Sequence, residues 1–149
     1  MKLSNFHHIV ALDVANIGSG MTCWNKVDPH AKRLTKLSAC LVGVAEPRVS
    51  LHTLAADSFF REGHLAGQIH IQRSHGGLNA GDWHLVVLVG GVLSRCTEAM
   101  VYLVSNDLKL QRAMAQFYTE ERLVAVTGCF DDESWAHRLL LSIECQHRL

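Results

Sequence analysis

The chain has 149 residues, enough for one domain with a proper core, and 48% hydrophobic against 19% charged residues excludes a disordered polymer. Fourteen basic residues balance fourteen acidic ones, which excludes grip on nucleic acid by bulk positive charge; any such contact needs a local patch, a metal ion or a partner chain. Five scattered cysteines without a CxxC pair signal neither a zinc knuckle nor a disulfide framework, and MKLSNFHHIVALDVAN is too short and polar for a signal peptide or membrane span, so a soluble, reduced, cytoplasmic protein is expected.

In chain order, HIVALDV at 8–14 is short, apolar and rich in β-branched residues, which predicts a buried first strand ending near Asp13. The glycine loop NIGSG follows at 16–20. Asp28-Pro29 then has the form of an N-cap with proline at the first helical position. Leu34, Leu37 and Leu41 fall at helical spacing, predicting a helix over 29–43 that closes at Gly43 and Pro47. RVSLHTLAA at 48–56 alternates weakly as a strand, EGHLAGQ at 62–68 is a poor helix or a loop, and IHIQRS at 69–74 alternates as a strand.

After the flexible tract HGGLNAG, Asp82 opens the apolar segment WHLVVLVGGVLSRC, read as a helix whose weak point is Gly90-Gly91. MVYLVS at 100–105 is a buried strand closed by Asn106-Asp107, and LKLQRAMAQFY places Leu110, Ala113, Met114 and Phe117 on one helical face. LVAVTG at 123–128 is a last strand, and DDESWAHRLLLSIEC a helix with an apolar face through Trp135, Leu139 and Ile143. Alternating strands and helices with continuously apolar strands mean a mostly parallel sheet covered on both faces, and ligands then sit beyond the carboxyl ends of the strands. Asp13 and Asp107 lie there, and Asp82 can reach the same edge. Three converging carboxylates call for a cation, and oxygen ligands of this kind suit Mg²⁺ or Mn²⁺. Such an ion fits phosphodiester hydrolysis, and it lets an uncharged protein meet nucleic acid.

These segments together resemble the PIN-like nucleases, above all the NYN branch. The resemblance rests on LDVAN at 12–16, AGDWHLVVLVGGVL at 80–93, VYLVSNDLKL at 101–110 and LVAVTG at 123–128, in that order. It implies a single three-layer α/β/α PIN-like domain over 1–149, acting as a metal-dependent nuclease on RNA in preference to DNA. By the same resemblance Asp13, Asp82 and Asp107 are the catalytic and metal-binding carboxylates. Asn16 would orient a phosphate or water on the substrate side, with Ser105 and Asn106 shaping the turn beside it. A fourth acid is common in the family; Asp131 and Asp132 are the candidates, both after the last strand.

Competing readings are plain. Asp82 and Asp107 each precede a helix, where aspartate caps in any protein. Asp13 is harder to explain away, because a carboxylate at the end of a buried strand is costly unless paired or bound. His7 and His8 point to opposite faces of a strand, and His64, His70, His75 and His84 lack tight ligand spacing. Cys129 has no nearby histidine and NIGSG lacks a nucleotide-loop ending, so neither carries a site. Trp24, Trp83 and Trp135 are simplest as core or interface residues, and Lys32, Arg33 and Lys36 as a solvent-facing stripe. Two alternative functions follow. One is an inactive PIN-like binding module working through a protein partner or oligomer, favoured by the zero net charge. The other is an unrelated doubly wound nucleotide-binding or signalling domain with a site elsewhere, for example at Asp57.

Overall fold

The computed structural model describes residues 6–13, 33, 36–45, 69–74, 80–118, 121–127 and 134–147. Five strands within them form one sheet: β1 (His8–Leu12), β2 (Ala39–Ala45), β3 (Ile69–Arg73), β4 (Met100–Val104) and β5 (Leu123–Val126). Among the described residues, helices α1 (Ala80–Leu93) between β3 and β4, α2 (Leu108–Phe117) between β4 and β5, and α3 (Ser134–His147) after β5 accompany it. The strands lie in the order β3-β2-β1-β4-β5, and every pairing is parallel. Parallel neighbours need crossovers, and crossover helices cover both faces, which is why strands such as HIVAL are buried along their whole length.

Side chains alternate along each strand, so the sheet feeds two cores. Val10, Leu12, Leu41, Tyr102, Val104 and Val126 pack with Trp135, Leu139, Leu140 and Ile143 of α3. Ile9, Ala11, Cys40, Val42, Val101 and Leu103 pack on the other face with Leu85, Val86 and Val89 of α1 and Leu110 and Met114 of α2. The result is a three-layer α/β/α arrangement. Leu85, Val86, Val89, Val92 and Leu93 recur at helical spacing, as does the α3 stripe from Trp135 to Ile143. Each fully buried Ile or Leu in these layers contributes about 1.5–3 kcal/mol of transfer free energy.

The helix predicted over 29–43 is corrected. Arg33 and Lys36 are helical, with the Leu37 amide donating to the Arg33 carbonyl, but the chain turns at Leu37-Ser38 and Ala39–Ala45 is a strand. Ser38 takes a left-handed φ of 57°, which no helix continues through. Its carbonyl accepts from the amides of His7 and His8, tying the turn to the start of β1. ACLVGVA is a short apolar run, and such a run cannot be told from a helical segment by periodicity alone. The strand expected at 48–56 and the segment 62–68 lie outside the described residues.

The helix expected to start at Asp82 begins at Ala80, so Asp82 sits in its first turn rather than at its cap. Gly90 and Gly91 do not interrupt it. His8 is buried, and its Nδ1 lies 3.0 Å from the hydroxyl of Tyr102. Arg33 is exposed as expected and pairs with Glu144 of α3. No helix among the described residues is long and apolar enough to cross a membrane.

Candidate metal centre

From β1 the chain builds the sheet outward through β2 to β3, and then returns to place β4 and β5 on the other side of β1. The crevice between the carboxyl ends of β1 and β4 is therefore the switch point of the sheet, where the two following connections diverge. Asp13 directly follows β1 and Ser105 directly follows β4. The register pairs Leu12 with Val104, and the Asp13 amide donates to the Val104 carbonyl at 3.2 Å. Alternation then puts Asp13 on the side of Ile9 and Ala11, and Ser105 on the side of Val101 and Leu103. Both face the layer that holds α1 and α2.

Asp13 is buried, and Ser105 shows no exposed surface. The Ser105 hydroxyl donates to Asp13 Oδ2 at 2.6 Å, and its oxygen accepts from the Asp107 amide at 3.0 Å. The Ser105 carbonyl accepts from the Gln111 side-chain amide at 2.8 Å, and its own amide donates to the Val126 carbonyl. Ser105 is thus clamped on all sides and orients the Asp13 carboxylate. It stands behind the Asp13 carboxylate, within the turn that leads from β4 to Asp107.

Asp107 caps α2. Its backbone is extended, and Oδ1 accepts from the amides of Lys109 at 2.9 Å and Leu110 at 3.4 Å. The capping role expected of any such aspartate is real here, and it fixes the carboxylate at the switch point. Asp82 comes to the same place from the first turn of α1. One carboxylate oxygen from each of Asp13, Asp82 and Asp107 lies within 4.8 Å of the others. Three stretches of sequence, up to 94 positions apart, meet in one acidic cluster.

The electrostatics carry the mark of that crowding. Acids in a helix's first turn are normally stabilised by the helix dipole. The Asp82 carboxyl is instead pushed above the usual carboxylate range, first by burial and then by the charges of Asp107 and Asp13, with Lys109 opposing. The donor set is all carboxylate oxygen, hard ligands that suit a divalent cation over a soft metal. Mg²⁺ binds proteins through few carboxylates and keeps several waters, which accommodates oxygens at this spacing. These three residues could hold a divalent metal ion.

Asn106 is exposed beside the cluster. Asn16, Asp131 and Asp132 lie outside the described residues. Gln111 and Lys109 stand near the site without having been expected there. A glutamine four residues after a cap carries no sequence signal for bonding back to the strand end, whereas Lys109 could have been suspected from its place two residues after Asp107. Trp83, expected in a core or interface, is 59% exposed, while Trp135 is fully buried. Burial, and then neighbouring Cys96, raises the Cys40 thiol to about 12, so it stays protonated and unreactive. Compared with protein-family models, curated proteins and solved structures, the chain matches none.

Proposed function

We propose that the chain is a metal-dependent nuclease that hydrolyses phosphodiester bonds at Asp13, Asp82 and Asp107, acting on RNA in preference to DNA. The observation that carries the reading is the convergence of the three carboxylate oxygens within 4.8 Å at the switch point of a parallel sheet. The order of the motifs around these acids, and their resemblance to PIN-like nucleases, supports the choice of reaction and of substrate. Mg²⁺ or Mn²⁺, when bound, supplies concentrated positive charge against phosphate oxygens and makes water more acidic.

The protein's own groups do the positioning. Ser105 holds the Asp13 carboxylate by its hydroxyl, and the α2 cap holds Asp107. Asp82 rides on a helix packed on the sheet through Leu85, Val86 and Val89. Rigid elements thus present all three acids, and site geometry then survives thermal motion better than it would on loops.

The test is Asp13→Asn, which keeps shape and removes charge. Its metal-dependent cleavage of labelled RNA and DNA should fall by orders of magnitude, while its melting temperature stays near the parent's. A folded variant that cleaves like the parent would sink the assignment. The zero net charge favours a second reading, an inactive binding module working through a protein partner or oligomer. A parent that cleaves no strand with Mn²⁺ present would move the conclusion there.

A further inference from the structure

A small cleft opens beside the acidic cluster, between α1 and α2. Its volume is about 190 Å³, and it is lined by Asp82, Trp83, Val86, Lys109, Leu110 and Ala113. Buried Val86 and Leu110 form an apolar floor, with the small, partly buried Ala113 beside them. Trp83 stands at the wall and is one of the exposed large hydrophobic residues. A tryptophan is seldom left so open on a folded surface without a partner. At the rim are one acid of the cluster and one exposed cation, Lys109, close enough to Asp82 for its charge to act on that carboxylate.

We propose that this cleft seats one unstacked base of a single-stranded nucleic acid against Trp83, with Lys109 meeting the adjoining phosphate. The proposal rests on the nuclease reading and names its substrate class. Three features favour this occupant. Pockets for drug-sized molecules run to about 300–1,000 Å³, so this smaller one fits a single ring system. An exposed indole beside apolar floor residues is the stacking surface that sequence-tolerant single-strand binders use. The cleft also shares Asp82 with the candidate metal centre, so a base held here places its own phosphodiester next to the three acids. A base within a duplex is already stacked and cannot enter.

The test uses short fluorescein-labelled RNA and DNA strands of one sequence, their duplexes, and an abasic strand of equal length. Binding is read by anisotropy with Ca²⁺ present, cleavage with Mn²⁺, and folding by thermal melts. Single strands should bind more tightly than duplexes. Trp83→Ala should weaken single-strand binding roughly 5- to 150-fold without moving the melting temperature, and Trp83→Phe should keep most of the affinity. The abasic strand should not distinguish Trp83→Ala from the parent. Titrated strand should quench the parent's tryptophan emission, and Trp83→Phe should lose that quench. Lys109→Ala should shallow the salt dependence of single-strand binding by about 0.7 in log–log slope.

Equal binding of base-bearing strands by the parent and Trp83→Ala overturns the proposal, as does a parent that binds no strand. So does a Trp83→Ala variant whose sedimentation changes while strand binding does not, because the open face of α1 is then a contact between copies of the chain. The two readings fail separately. If Trp83→Ala weakens binding but the parent never cleaves, the base cleft stands and the nuclease falls. If the parent cleaves, Asp13→Asn does not, and Trp83→Ala binds normally, the nuclease stands and the cleft falls.

Discussion

Asp13 and Ser105 form the smallest unit of the site. A buried carboxylate is tolerated only with partners, and the hydroxyl at 2.6 Å is one it cannot lose cheaply. Ser105→Ala should cost about 1.5–3 kcal/mol in chemical denaturation, because the bond it removes is to a charged group. The same variant should weaken divalent-cation binding by calorimetry, roughly 10- to 100-fold, as loss of an outer partner of a metal ligand does. Asp82 predicts the opposite sign for stability. Its carboxyl is raised by burial and by two neighbouring acids, so the fold binds that proton more tightly than the unfolded chain does. Stability from this group is therefore greatest at acid pH and is lost as pH rises through the raised value. Asp82→Asn should raise the melting temperature of the metal-free protein at neutral pH by on the order of 1–2 °C, since the group is half-exposed and screened. That gain should vanish in melts run below the ordinary carboxylate range.

At the scale of elements, α1 combines an apolar stripe that builds the core with an open side bearing Trp83 and Val87. Its adjacent glycines, Gly90 and Gly91, are not demanded by space. A methyl group on Gly91 would meet nothing within 4 Å, and one on Gly90 would make ordinary contact with the Tyr118 hydroxyl at 3.6 Å. Gly91→Ala should therefore stabilise the protein by about 0.5–1 kcal/mol in urea titrations, through the entropy glycine loses in a helix. A loss of stability instead would mean that the exposed face of α1 is covered in the protein as it exists in solution. The turn from helix to β2 has its own logic. Ser38 is left-handed there, and its carbonyl serves two amides of the β1 entry, so the turn and the first strand set each other's place.

For the whole molecule, the cluster is a site of like charge that folding must bring together. A cation bound only by the native state relieves it by mass action. At a hundredfold excess over its dissociation constant, Mg²⁺ or Mn²⁺ should add about 2.7 kcal/mol, seen as a rise of roughly 5–10 °C in the melting temperature. Identical melts with either ion and with chelator, together with no heat of binding, would count against a metal centre. The switch point explains why the acids collect where they do. Connections leaving β1 and β4 diverge, and the gap between them is lined by whatever follows those two strands, here Asp13 and the Ser105–Asp107 turn.

Much of this architecture is legible in the amino-acid sequence by itself. β1, β3, β4 and β5 announce themselves as short β-branched or alternating runs, the helix around Asp82 by its long apolar run, and the helix after Asp107 by apolar spacing and a capping acid. Those are local signals, set by propensity and by which side chains must leave water. Parallel order can also be inferred, since alternating strands and helices admit little else. β2 cannot be read correctly in this way, because seven apolar residues are compatible with either period until a neighbouring strand supplies the hydrogen bonds. The bond from Ser105 to Asp13, the amide of Gln111 on the Ser105 carbonyl and the open cleft beside Trp83 belong to the tertiary structure alone. Each depends on strand register or on how two helices lean together over the sheet, and register is a property of pairs of segments that no single segment encodes.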